Sequence, residues 1–165
     1  MNEVIIVGSK GQDGQLLKEF FQSRKCPIIG LDVDFVDSAR SSWKEKVDIN
    51  DYAQVSQLIK EVEPKQVYYL AAHHHSSEDQ LGDLTDLIKK SYEVNVFSYL
   101  NFLESIKRFS LGTKIFYAAS SHIYGDPKDP LQDESTEFNP KSIYAITKLD
   151  SLLLSQFYRK NHSLF

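Results

Sequence analysis

Short runs of β-branched and aliphatic residues alternate along this chain with longer stretches whose apolar positions recur at helical spacing. Val4-Ile5-Ile6-Val7 stops at Gly8, and the stretch up to Lys25 reads as a glycine turn followed by a helix. After Pro27, Ile28-Ile29-Gly30-Leu31 forms a second apolar run ending on Asp32. Asp34 to Lys46 is polar and irregular, anchored by Trp43, and Val47-Asp48-Ile49 is read as a short third strand. From Asp51, residues Tyr52, Val55, Leu58, Ile59 and Val62 mark one helical face that ends before Pro64. Gln66 to Ala72 is a strand apolar on both sides, followed by a polar loop with three histidines. Leu84 to Phe109 reads as one long helix, Lys114 to Ala119 as a strand running into Ser120-Ser121, and Tyr144 to Tyr158 as the last helix.

Strands separated by helices pair in parallel through right-handed crossovers. The expected fold is therefore α/β, a three-layer doubly wound parallel sheet of Rossmann-like type. Ligands bind such sheets at the carboxyl ends of the strands, and the candidate residues below all fall there. At 165 residues the chain has the size of one domain and reads throughout as a dinucleotide-binding domain, residues 1–165. Its single Cys26 offers no internal disulfide. A formal net charge of −4 without a long basic run argues against a nucleic-acid or anionic-membrane partner. No apolar stretch approaches the roughly 18 residues of a spanning helix, and the start lacks a signal-peptide pattern, so the expected location is cytoplasmic.

The glycines of Gly8-Ser9-Lys10-Gly11-Gln12-Asp13-Gly14 are spaced GxxGxxG between the first strand and first helix. Glycine there permits the turn and lets backbone amides approach a pyrophosphate at the helix N-terminus; a glycine turn without a ligand is the simpler alternative. Asp32 lies 18 residues beyond Gly14. Its carboxylate can accept from both hydroxyls of an adenosine ribose and would repel a 2′-phosphate, favouring NAD over NADP, although a strand-end Asp also serves simply as a turn residue. Asp48 and Ile49 either border the adenine or form an ordinary turn. Tyr144-Ala145-Ile146-Thr147-Lys148 puts a phenol and an ammonium on one helical face, where the cation can stabilise a phenolate. Joined to the hydroxyls of Ser120-Ser121 and a dinucleotide loop, the pair reads as a hydride-transfer site.

These motifs resemble the short-chain dehydrogenase/reductase superfamily, in its extended branch acting on nucleotide sugars, over nearly the whole chain. Gly11-Gln12-Asp13-Gly14 is similar to the GQDG of GDP-mannose 4,6-dehydratases. Leu70-Ala71-Ala72 with His75 resembles the NLAAxxH strand end beside the cofactor, and Asn95 falls where the family has an Asn bracing the sheet centre. Ala118 to Gly125 is similar to the strand that carries the family's Ser/Thr and ends in YG, and Glu134, Phe138 and Pro140 precede Tyr144 as the family's E, F and P precede YxxxK. The resemblance implies that Ser120 hydrogen-bonds the reacting sugar hydroxyl or ketone, Tyr144 exchanges its proton, and Lys148 holds the nicotinamide ribose and lowers the Tyr144 pKa. It also implies a homodimer through the helices at 84–109 and 141–160.

Some positions depart from the family. His122 stands where the dehydratases carry a Glu for acid–base work; imidazole also moves protons near neutrality, so elimination stays open beside epimerase and reductase readings. Tyr69 replaces an Asn or His, and Asp32 replaces basic residues of NADP-type members. Extended members are roughly twice as long, so the expectation is that the substrate-binding lobe is absent here. A nucleotide sugar is then the partner only if such a lobe is supplied, and a non-catalytic dinucleotide-binding or dimerisation module is the alternative. His73-His74-His75 suggests a metal, but adjacent residues do not readily converge on one ion, and a cofactor-side loop without metal is the preferred reading.

Overall fold

In β1 (Val4–Val7), Val4 and Ile6 face one side of the sheet and Ile5 and Val7 the other, and all four are buried because helices cover both sides. The computed structural model describes residues 3–33, 35–37, 43–74, 83–127 and 131–165. On one face α1 (Gln12–Ser23) lays Leu17 and Phe21 against Val4, Ile6 and Ile28. On the other, α2 (Tyr52–Val62) and α4 (Ser98–Phe109) close the larger core over Ile5, Val7, Ile29, Leu31, Val67 and Tyr69. The layers are thus helix, sheet, helix.

The sheet runs β3-β2-β1-β4-β5, where β2 is Ile28–Asp32, β3 Phe35–Asp37, β4 Gln66–Tyr69 and β5 Lys114–Tyr117. Strands β2, β1, β4 and β5 pair in parallel, with Val7 in register with both Leu31 and Tyr69. The chain leaves β1 toward β2 and returns to β4 on its other side, so the order reverses at β1 and a crevice opens there above the strand ends.

The expected parallel sheet is present in β2, β1, β4 and β5, and β3 adds to its edge an antiparallel strand that hydropathy does not reveal, with Asp32 opposite Phe35. Only Val33 and Asp34 separate β2 from β3, too few for a crossover. One expectation needs correction: Val47-Asp48-Ile49 is not a strand. Val47 is buried, but Asp48 folds the segment into a turn: its side chain accepts from the Asn50 amide and its carbonyl from the Asp51 amide. Asp51 then caps α2 by accepting from the Ala53 and Gln54 amides.

The long helix has an interruption that periodicity does not show. Between α3 (Leu84–Tyr92) and α4 lies a π-helical turn, Glu93–Phe97, which carries the buried Asn95. After β5 the chain makes a 3-10 turn, Ser121–Tyr124, and ends in α5 (Ile143–His162), longer than expected by a turn and capped by Ser142, which accepts from the Ala145 amide. Among the described residues no helix is long and apolar enough to cross a membrane.

Helix α1 seats on the glycine turn through Gly14, where an added Cβ would lie 2.4 Å from the Gly8 carbonyl oxygen. Backbone cannot yield there cheaply, so Gly14→Ala should lower the urea midpoint by the equivalent of about 2 kcal/mol. Gly112→Ala, whose Cβ meets nothing within 4 Å, should stay within about 0.5 kcal/mol of the parent and serves as the control.

Candidate functional site

The first part of the site is built by backbone. Gly8 has φ +86°, and a Cβ there would come within 2.8 Å of the Ala71 nitrogen, so only glycine lets β1 turn this close to the end of β4. The amides of Gly8 and Ser9 both donate to the Leu31 carbonyl, and Gly11 donates to Gly8. Gly11 is the N-cap of α1 and offers no side chain to the first-turn amides of Gln12, Asp13 and Gly14. A helix of this length with an uncapped N-terminus presents an anion-receptive end.

Asp32 locks this turn in place. Its Oδ2 accepts from the Lys10 amide at 2.7 Å and its Oδ1 from the Val33 amide at 2.9 Å. Each carboxylate oxygen keeps a further lone pair for a ligand hydroxyl. The cleft above the strand ends has a volume of about 540 Å³ and is lined by Gly8 and Gly11, by Asp32 and Val33, by Lys46 through Asn50, and by Leu70, Ala71, Ala72 and Val94. The structure therefore gathers Gly8, Gly11, Asp32, Asp48, Ile49 and Leu70 to Ala72 around one cavity. Gln12, Asp13 and Gly14 lie outside its lining; Gly14 serves the packing of α1 instead. Lys46 and Val94 line the cleft without any sequence signal that marks them.

Asn95 is the next element. It is wholly buried, accepts at Oδ1 from the His73 amide at 2.7 Å, and donates from Nδ2 to the His73 carbonyl at 3.2 Å and to Thr147 Oγ1 at 2.9 Å. Thr147 in turn donates to the Tyr144 carbonyl. Ser151 donates to the backbone carbonyl of Asn95. One side chain thus ties the loop after β4 to the helix that carries Tyr144 and Lys148.

On α5, Tyr144 is half-buried and Lys148 is only 2 % exposed. The Lys148 ammonium donates to the Ala118 carbonyl at 2.8 Å, and its nitrogen lies 4.8 Å from the Tyr117 ring centroid and 5.6 Å from that of Tyr144. Burial pulls its pKa down to about 8. Ser120 caps the 3-10 turn by accepting from the His122 amide, which places its hydroxyl at the end of β5. Two imidazoles meet the Tyr144 ring edge-to-face: His74 with centroids 4.7 Å apart and His122 at 5.9 Å. Glu134 and Phe138 join Ser120 and Tyr124 around a second hollow of about 430 Å³, and Phe138 stacks on Tyr124. His75 lies outside the described residues, and among those described no group of three or more His, Cys, Asp or Glu is placed to hold a metal.

Comparison with known proteins places the chain in a family. A GDP-mannose 4,6-dehydratase of Vibrio cholerae is 27% identical over 181 residues, covering 99% of this chain and 47% of the relative. The GDP-mannose 4,6 dehydratase of Homo sapiens is 26% identical over 183 residues, covering 99% of this chain and 48% of its own. The chain spans about half the length of the curated relatives it matches. Among solved structures, a UDP-glucose 4-epimerase of Brucella ovis in complex with NAD superposes with a TM-score of 0.82 at 21% identity, covering 99% of this chain and 50% of that one. The Thermus thermophilus UDP-glucose 4-epimerase complex with NAD gives 0.76 at 26% identity, covering 98% and 52%. The family model of GDP-mannose 4,6 dehydratase matches residues 5–165, and the chain belongs to that family.

Proposed function

We propose that this chain forms the dinucleotide-binding half of an NAD-dependent enzyme acting on a nucleotide sugar, with Tyr144, Lys148 and Ser120 as its hydride-transfer group and Lys148 also holding the nicotinamide ribose. The observation that carries this reading is the Lys148 ammonium, sunk out of solvent beside a half-exposed phenol at the end of β5. A buried cation that serves only packing would be more stable as an apolar side chain of similar volume. The bound NAD of the Thermus thermophilus epimerase, 26% identical, adds support for the cofactor.

The residues present fit a dinucleotide. The uncapped α1 N-terminus suits a pyrophosphate, and Gly11, without a Cβ, leaves room for it in the cleft. Asp32 retains lone pairs for the ribose hydroxyls and repels a 2′-phosphate. A dinucleotide held by these residues would supply the hydride acceptor and donor for the sugar carbon. The chain does the rest. Lys148 has donors beyond its bond to Ala118 for ribose hydroxyls, and its charge favours a phenolate at Tyr144. Tyr144 takes the proton of the sugar hydroxyl at its phenol oxygen while Ser120 Oγ orients that hydroxyl. His122, on the same ring, stands where the dehydratases hold a carboxylate and serves as the second proton-transfer group.

Calorimetric titration with NAD should give a saturable isotherm, with NADP at least about tenfold weaker, and Asp32→Ala should weaken NAD by about tenfold or more, the worth of a charge-assisted hydrogen bond. Heat with neither dinucleotide sinks this reading. If NAD binds but neither GDP-mannose nor UDP-glucose is turned over, the non-catalytic module reading takes its place for this chain.

Lys148 also sets a pH dependence of stability. Its folded-state pKa of about 8 lies below the ordinary 10.5, so unfolding takes up a proton between those values. Stability therefore rises with pH through that window, and below it the fold carries the full cost of the buried charge. Lys148→Met should unfold at higher urea than the parent at pH 7, by about 1–2 kcal/mol after loss of the Ala118 hydrogen bond, with the gap closing toward pH 10. A destabilised Lys148→Met at pH 7 would show the burial cost to be negligible.

A further inference from the structure

Resting on the proposed role of Tyr144 as the reacting phenol, we propose that His74 is a positioning residue for Tyr144: its imidazole fixes the orientation of the phenol ring and, when protonated, places a second positive charge against that ring. The histidine run after β4 fits no metal arrangement among the described residues, and the cleft does not include His74. Its ring does meet Tyr144, with centroids 4.7 Å apart and planes at 77°. That is nearer than His122, at 5.9 Å and 89° on the same ring.

The contact is not a chance meeting of two exposed side chains. Asn95 holds the backbone of His73 from both sides, accepting from its amide and donating to its carbonyl. The same amide group donates to Thr147, which donates to the Tyr144 carbonyl. From His73 through Asn95 and Thr147 to Tyr144, and back across the two rings to His74, the contacts form a closed circuit. One buried side chain therefore sets the backbone on both sides of the ring pair. An edge-to-face aromatic contact held in this way is worth about 0.5–1.5 kcal/mol and selects one ring orientation.

Among the described residues, these groups face Tyr144. His74 comes from the loop after β4, His122 from the 3-10 turn, Lys148 from α5 itself, and the Tyr117 phenol from β5 beneath the ammonium. Burial holds the Tyr117 phenol well above its ordinary range, so it stays neutral. Lys148, with its pKa near 8, keeps its charge in the acid half of the range. Imidazole is the side chain whose ordinary charge change falls near neutrality, so substitution of His74 and of His122 in turn separates their effects on Tyr144.

The test uses the whole chain with tyrosine labelled at 13Cζ, titrated by NMR from pH 5 to 7.5 without dinucleotide. The Tyr144 resonance is the one missing from Tyr144→Phe. The expected result is a step in its chemical shift across this interval. That step shrinks at least about twofold in His74→Phe, which keeps a ring but not the charge, and in His74→Gln, which keeps polarity but not the ring, while His122→Phe keeps the larger part of it. A packing role alone would leave no titration step to lose. A Tyr144 resonance that is flat in the parent, or that moves identically in the parent and in His74→Phe, overturns the assignment. Because no dinucleotide is present, failure of NAD to bind does not alter this outcome, and a flat resonance leaves the dinucleotide reading standing.

Discussion

The arrangement of the site depends on the amide of Asn95. A primary amide is one of the few side chains that both accepts and donates in one plane, and here both capacities are used away from water. Its Oδ1 and Nδ2 satisfy the His73 backbone just where β4 has stopped pairing, a place where an orphan amide would be costly. Its second Nδ2 hydrogen reaches α5 through Thr147. That link ties the loop after β4 to the helix bearing Tyr144 and Lys148 by directional hydrogen bonds, which constrain angle better than apolar contacts do. The π-helical turn that holds Asn95 gives the reason for the irregularity in the long helix: an extra residue in the turn swings this side chain inward while α3 and α4 keep their own faces on their neighbours.

The layout of the sheet was legible from local pattern because each parallel strand is a short apolar run buried on both faces. Val4 to Val7 and Ile28 to Leu31 needed no partner information. The errors arose where side-chain chemistry overruled hydropathy. Val47 and Ile49 alternate around Asp48 as a strand would, yet the Asp48 side chain bonds the Asn50 amide and makes a turn. The antiparallel β3 hides in a stretch that looks polar overall. The Asn95 clamp has no local signature, since its partners lie 22 and 52 residues away; Glu93 to Phe97 reads as ordinary helix. The glycine turn, Asp32, Ser120 and the Tyr144–Lys148 pair were visible as motifs, whereas Lys46, His74 as a ring partner of Tyr144, and the aromatic floor under Lys148 emerge only in three dimensions.

That floor separates the phenols of this chain by burial. Tyr69, Tyr99 and Tyr117 pack ring against ring in the main core. Tyr69 donates to the Val94 carbonyl and shares a short hydrogen bond with Ser98, while Tyr99 bonds Ser155. Burial holds all three above the ordinary phenol range, Tyr99 at about 12, so none of them ionises at neutral pH. Tyr144 alone combines half-exposure with an ammonium and two imidazoles around its ring. The same aromatic wall that buries the core phenols also strips water from Lys148, which strengthens its field at the half-exposed Tyr144 ring.

Asp32 shows the converse coupling, in which the residue proposed to choose between dinucleotides is also a structural one. Its two oxygens hold the amides of Lys10 and Val33, so the carboxylate that would meet a ribose is the group that fastens the glycine turn to the end of β2. A neutral amide at this position would keep one acceptor oxygen and turn a donor toward one of those two amides, and donor facing donor is repulsive. A change of charge here therefore cannot act on the proposed discrimination between dinucleotides without also loosening the glycine turn proposed to hold their common pyrophosphate. Any route to a 2′-phosphate-accepting cleft on this scaffold would have to refasten Lys10 first and add its cation elsewhere on the lining, where Lys46 already stands.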